Sequence, residues 1–239
     1  MDKIKYVVTS GCSFSEGQCM YKNQSPLDKS KHRFSKIFAD NIGAQDINLA
    51  GGGGSNKRAF RKVYEWIQSN KEKVESTFFI FGITDLSRTE TKIDSNILKL
   101  NTSTQEVQDN QFIRWNNHIS FVTTDIPKMF EGISKDIQNK MATWHHVEYS
   151  YMFEESDSYR KLFMQADLLQ TYIKSLNSNI TYFYALPKSN KLDSRLNWYK
   201  PGGHNYWLKY VEEYRRYDSG HPNKEDHMKL GMDLTKTYG

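Results

Sequence analysis

Thr77-Phe78-Phe79-Ile80-Phe81, closed by Gly82, is the stretch on which the fold turns. It is an unbroken apolar run of strand length, without the polar–apolar alternation of a half-exposed strand. Such a run suits a strand covered on both faces, and that places it in the middle of a parallel sheet. Upstream, Lys3-Ile4-Lys5-Tyr6-Val7-Val8-Thr9-Ser10 is β-branched and aromatic and ends at Gly11, so it reads as a strand entering a loop and as a candidate central strand. Between the two runs, Phe34, Ile37, Phe38 and Ile42 fall at helical spacing and predict a helix over 31–42, with Gly43 as its C-cap. Asp46-Ile47-Asn48-Leu49-Ala50 then reads as a brief strand running into Gly51-Gly52-Gly53-Gly54. Ser55 or Asn56 caps a second helix whose buried face holds Phe60, Val63, Tyr64 and Ile67.

Downstream, Leu162, Phe163, Ala166, Leu169, Ile173 and Leu176 predict a helix over 159–176, followed by a strand from Ile180 to Leu186 that Pro187 stops. Strands alternating with helices in this way define a doubly wound α/β domain with right-handed crossovers. The exception is the stretch 88–158, about twice what a crossover needs. It reads as an insertion with some helix that packs over one end of the sheet. The expected organisation is one domain over 1–239 carrying that insertion or lid, and a short C-terminal helix over 224–234.

Composition narrows the function classes. Lys plus Arg is 33 and Asp plus Glu 28, a net +5 over 239 residues. That surplus is too thin to mark a nucleic-acid binder, so no nucleic-acid partner is expected. The mean hydropathy of −0.76 is polar, yet aromatics make up 14% of the chain, which a disordered chain would lack. No run approaches the ~18 apolar residues of a membrane span, and Tyr6-Val7-Val8 breaks at Thr9-Ser10-Gly11, unlike a signal peptide. No membrane association is expected. Cys12 and Cys19 are too few for a disulfide framework and lack the spaced partners of a zinc site. A cytoplasmic setting follows as the expectation.

Ligands of an open parallel sheet bind where loops leave the carboxyl ends of its strands. Four loops stand out: Gly11-Cys12-Ser13-Phe14-Ser15-Glu16-Gly17, Asn48 to Asn56, Gly82-Ile83-Thr84-Asp85, and Asp218-Ser219-Gly220-His221-Pro222. A serine becomes a nucleophile when a base takes its proton, and a neutral imidazole is the usual base. His221 is the candidate, because Asp218 can reach it across a Ser219-Gly220 turn and hold one ring nitrogen as a donor, leaving the other for Ser13. Acyl transfer also needs donors for the developing oxyanion, and the amides of Ser13 and of the glycine run suit that role.

These four blocks, in this order after successive strands from Gly11 to His221, resemble the SGNH (GDSL) hydrolase family. The resemblance implies a flavodoxin-like doubly wound three-layer α/β/α sandwich with a central parallel sheet. It implies Ser13 as nucleophile and amide donor, Asp218 and His221 as the rest of the triad, and Gly53 as the second-block oxyanion donor. Two positions depart from the family. Cys12 stands where Asp is usual, and Thr84 stands in place of the third oxyanion donor, Asn. Thr84 keeps a shorter hydroxyl donor, and Asn56 is a further candidate to lean into the hole. The implied function is an esterase that removes an O-acyl group such as acetyl from a carbohydrate or small metabolite, with no cofactor and no metal. An acyltransferase using the same triad, or an inactive binding protein on the same fold, are the alternatives.

Other features have plainer readings. Cys12 is a rival nucleophile, but neighbours in a strand-to-loop turn point apart; as a free thiol beside Ser13 it predicts sensitivity to bulky thiol reagents. The glycine run lacks the Gly-Lys-Ser/Thr of a P-loop. His145-His146 does not share a helix face and reads as surface or packing. His227 reads as a polar position at the start of the last helix. Trp198-Tyr199, Tyr206-Trp207, Tyr210 and Tyr214 read as a packed domain edge rather than a stacking platform, and Arg88 with Glu90 as a structural ion pair.

Overall fold

The computed structural model describes residues 4–18, 30–52, 54–84, 86, 89–92, 112–115, 155–184, 193–198 and 221–239. Its strands are β1 (Tyr6–Ser10), β2 (Gln45–Asn48), β3 (Thr77–Ile83), β4 (Thr89–Lys92), β5 (Phe112–Trp115) and β6 (Asn179–Tyr184). Its helices are α1 (Ser13–Glu16), α2 (Phe34–Ile42), α3 (Asn56–Ser69), α4 (Glu155–Ser175) and α5 (Lys224–Tyr238). A 3-10 segment, Lys71–Ser76, leads from α3 into β3.

All pairings in the main sheet are parallel and the strand order is β2-β1-β3-β6, which gives the flavodoxin-like arrangement. The reason lies in the apolar run. Successive side chains of a strand point to opposite faces. Phe78 and Ile80 therefore pack on one side with Phe34 and Phe38 of α2 and Leu230 and Leu234 of α5. Phe79, Phe81 and Ile83 pack on the other with Val63 and Ile67 of α3 and Leu162, Ala166 and Ile173 of α4. Val7 and Val8 divide between the two faces in the same way. Each fully buried phenylalanine or isoleucine in these layers is worth about 1.5–3 kcal/mol relative to exposure, so a strand with both faces covered anchors two cores at once.

Local sequence sets the ends of the elements. Ser55 caps α3, its Oγ accepting from the Arg58 amide at 3.2 Å. Asn223 and Asp226 form a reciprocal capping box at the start of α5, each side chain accepting from the other's amide at 2.9 Å. Arg33, just before α2, donates from Nε to Asp46 of β2 at 2.8 Å, tying helix to neighbouring strand.

Several expectations shift. Gly82 does not close the third strand: β3 runs on to Ile83, and Gly82 pairs with Phe183 inside the sheet. Tyr64 is not on the buried face of α3 but 53% exposed, because the apolar stripe there runs through Ala59, Val63 and Ile67. The last helix continues past 234 to Tyr238, whose ring packs on Phe78 with centroids 4.7 Å apart. Trp198, read as part of a packed domain edge, lies in the buried core: it is 7% exposed, stacks on Tyr184 and donates from Nε1 to the Asp193 carbonyl.

Between β3 and α4, the described part of the proposed insertion is a two-stranded antiparallel ribbon of β4 and β5, which the polar sequence there did not announce. Residues 155–158 belong to the first turn of α4, so that helix begins before the expected 159; the remaining positions of 88–158, including His145-His146 and Arg88, lie outside the described residues, as do the aromatic positions from 199 to 214. No helix among the described residues is long and apolar enough to cross a membrane.

Candidate functional site

The site grows from the register of the central strands. Ser10, the last residue of β1, pairs with Phe81, and β3 runs on to Ile83, so the loops carrying Ser13 and Thr84 leave the same end of the sheet from adjacent strands. This is the point where the chain, having built β2 on one side of β1, crosses to build β3 on the other. A crevice opens at such a switch point.

Ser13 opens α1, a four-residue turn that Gly17 ends. Gly11 before it has φ +147°, and a Cβ there would lie 2.4 Å from Ser15 Oγ and 3.0 Å from the Gly82 carbonyl. Only glycine allows the chain to bend so closely past the end of β3. The bend sends Cys12 and Phe14 into the cluster with α2 and α5 and holds Ser13 between them, 5% exposed.

His221 arrives from the other end of the chain. Its Nε2 lies 2.9 Å from Ser13 Oγ, across 208 residues of sequence. With the proton on Nδ1, the Ser13 hydroxyl donates to Nε2, which is the arrangement of a nucleophile and its base. The Phe14 ring meets the imidazole in a T-shaped contact with centroids 4.9 Å apart at 63°, so the residue beside Ser13 also braces His221. Asp218 lies outside the described residues, and so does Gly53.

Gly51 and Gly54 of the glycine run pack directly on the Ser13 loop. The Gly51 amide donates to the Gly11 carbonyl at 3.4 Å and the Gly54 amide to the Gly51 carbonyl at 2.9 Å. A Cβ on Gly54 would stand 2.9 Å from both the Gly11 and Gly51 carbonyl oxygens and 3.7 Å from Cys12 Cα. Arg58, 7% exposed, reaches back from α3, donating from Nη1 to the Leu49 carbonyl at 2.9 Å.

Two asparagines join the loops, and neither role was read from the sequence. Asn48 donates from Nδ2 to the Ser15 carbonyl while its Oδ1 accepts from the Ala50 amide, both at 2.9 Å, linking the nucleophile turn to the second loop. Asn56 does not lean out alone as an oxyanion donor. Its Oδ1 accepts from the Thr84 amide at 2.9 Å and its Nδ2 donates to the Thr84 carbonyl at 3.0 Å. Thr84 itself is buried at 3% exposure. The sequence signal for Asn48 was its place at a strand end two residues before Ala50, the spacing of an Asx turn.

Cys12 is a free thiol with no exposed surface, facing the α2–α5 core. A bulky thiol reagent has no path to it in the folded protein, which corrects the expected reagent sensitivity. His227, read as a polar helix-start position, is also fully buried: its Nδ1 accepts from the Phe34 amide at 3.2 Å and its ring stacks on Phe34. Burial first, and then the charge of nearby His221, pushes its pKa down to about 3, so it is neutral at pH 7.

No family model matches the chain, and no curated protein matches it. Among solved structures, the chain is similar to a carbohydrate esterase whose active site is described as displaying divergent catalytic and non-catalytic binding functions. The two are 11% identical, with a TM-score of 0.33 over 99% of this chain and 69% of that chain. The functional reading rests on the side-chain geometry and not on that likeness.

Proposed function

We propose that the chain is a serine esterase of the SGNH type, acting on an O-acyl group of a carbohydrate or other small molecule. The observation that carries the reading is the 2.9 Å contact between Ser13 Oγ and His221 Nε2 at the switch point of the sheet. His221 takes the Ser13 proton as Oγ attacks the acyl carbonyl. The protonated ring then gives that proton to the departing alcohol, leaving an acyl-serine. Water, deprotonated by the same ring, attacks the acyl carbon and releases the acid, returning the proton to Ser13. Asp218, three residues before His221, takes the orienting role on Nδ1. The Ser13 amide, an amide of the glycine run at Gly53, and Thr84 serve the oxyanion.

The test is labelling with a fluorophosphonate probe together with turnover of short-chain nitrophenyl esters, against Ser13→Ala. Labelling at Ser13 and turnover that the alanine variant lacks support the reading. A folded wild-type protein that neither labels nor turns over acetyl and butyryl esters overturns it.

A further inference from the structure

We propose that Phe14 is a positioning residue for the base of the reaction: its ring sets the plane of the His221 imidazole and so keeps Nε2 aimed at Ser13 Oγ. The inference rests on the esterase reading above and adds a residue to the same site. The two rings meet in a T-shaped pair, with centroids 4.9 Å apart at 63°, a separation and an angle that ring pairs prefer. A histidine side chain has two torsions, and the second, between an sp³ and an sp² carbon, has broad minima. The backbone at His221 therefore leaves the ring plane open. The 2.9 Å contact with Ser13 Oγ fixes where one ring atom lies. Contact with the body of the ring is what fixes its plane, and with it the direction of the Nε2 lone pair. A carboxylate on Nδ1, the role proposed for Asp218, adds a second point within that plane; a ring standing against the imidazole opposes its rotation.

The brace is itself rigid. Phe14 is 6% exposed and belongs to the apolar cluster of Phe34, Phe38 and Leu230. Its backbone is held by the bonds of α1: the Glu16 amide donates to the Cys12 carbonyl at 3.0 Å, the Gly17 amide to the Ser13 and Phe14 carbonyls at 3.1 and 3.3 Å, and the Gln18 amide to the Ser13 carbonyl at 3.0 Å. Ser13 and Phe14 are consecutive in this turn, so a shift of the turn carries the nucleophile and the brace together. A group that arrives from 208 residues away is thereby aligned on a frame that four local residues build. Misplacing a reacting group by about 1 Å costs on the order of 10²-fold in rate, which sets the size of the expected effect.

Phe14→Leu removes the ring and keeps an apolar side chain in the core. It is expected to lower kcat on nitrophenyl acetate and the rate of fluorophosphonate labelling at Ser13 by about 10- to 100-fold, with KM within about threefold, each read on the plateau of that variant's own pH–rate profile. Phe14→Tyr, which keeps the ring, stays closer to wild type than Phe14→Leu. The decisive arm repeats Phe14→Leu in the His221→Ala background. A residue that acts through His221 has nothing left to position there, so the residual Ser13 labelling rate, followed over hours, falls no more than about twofold further. Wild-type kcat in folded Phe14→Leu, a folded Phe14→Tyr no faster than Phe14→Leu, or the full loss repeated in the His221→Ala background overturns the proposal. Should Phe14→Leu not fold, Phe14→Met takes its place in both backgrounds with the same outcomes. A wild-type protein with no Ser13-dependent turnover or labelling overturns the esterase reading itself, whereas an active wild type with losses that multiply overturns the role of Phe14 alone.

Discussion

The two helical layers serve the site differently. The layer of α2 and α5 is continuous with both Ser13 and His221: Cys12 and Phe14, on either side of Ser13, are part of its apolar cluster, and α5 begins three residues after His221. The layer of α3 and α4 holds neither of these two residues. It contributes Asn56 and Arg58, which hydrogen-bond the Thr84 and Leu49 carbonyls in the neighbouring loops, from a helix start that Ser55 caps. The Ser13–His221 contact, made across 208 residues, depends on how α5 docks, whereas the loop framework depends on hydrogen bonds from the start of α3. Packing defects in the two layers should therefore have different functional consequences even where they cost the same stability.

The sharpest test of this contrast lies in the reacting pair. Ser13→Ala and His221→Ala are each expected to lower kcat by about 10⁴-fold or more on a nitrophenyl ester, with circular dichroism and the thermal midpoint unchanged. A variant that keeps more than about a tenth of wild-type kcat would remove the pair from the mechanism.

Matched cavities in the two layers come next. Leu230 of α5 and Ile173 of α4 are 1% and 0% exposed. Truncating either to alanine should cost about 2–5 kcal/mol in chemical denaturation. Leu230→Ala should in addition lower kcat of the folded protein, because it loosens the helix that follows His221, while Ile173→Ala should leave kcat within about twofold. Equal effects on kcat would dissolve the distinction between the layers.

His227 makes the α5 layer sensitive to acid as well. Its folded-state pKa of about 3 lies below the ordinary 6.5, so the unfolded chain binds the proton more readily. The stabilisation is complete above about pH 6.5 and is lost as pH falls toward 3, at about 1.4 kcal/mol per pH unit. Asp226, which burial raises above the usual carboxylate value, acts in the opposite sense as the pH approaches its own range. Urea midpoints between pH 6.5 and 5 should fall by the equivalent of about 2 kcal/mol in wild type, and His227→Asn should flatten that slope. A slope that His227→Asn leaves unchanged would mean that His227 takes up its proton alike in the folded and unfolded chains.

The smallest effect is expected on the outer face of α3. Arg61 and Glu65 pair there one helical turn apart at 2.9 Å, with Glu65 48% exposed. Glu65→Ala should change stability by no more than about 0.5 kcal/mol and leave kcat alone; a larger loss would give α3 a charged role that its buried stripe does not require.

The strands were legible because burial on both faces writes itself as unbroken runs: Val7-Val8 and Phe78 to Phe81 need no partner to be recognised. Helix α2 was legible for a related reason, since Phe34 and Phe38 repeat at one turn. Tyr64 was misjudged because a tyrosine at helical spacing looks the same whether its ring faces the core or the solvent. Gly82 was taken for a strand end because glycine usually interrupts a strand, yet here it pairs with Phe183 inside the sheet. Ser13 and His221 could be paired on paper from reactivity and loop order. The grip of Asn56 on Thr84 could not, because an amide side chain is compatible with many partners at many distances.

The sequence by itself determined a parallel α/β sheet, the strand that would be central, and the loops at whose tips chemistry would sit, since these follow from local periodicity and turn residues. Tertiary structure alone decided the rest: which face received α5, the 2.9 Å approach of His221 to Ser13, the burial of Cys12 and His227, and the two asparagine bridges. Each of those depends on groups far apart in the chain meeting at hydrogen-bond distance, and no local pattern encodes a distance of that kind.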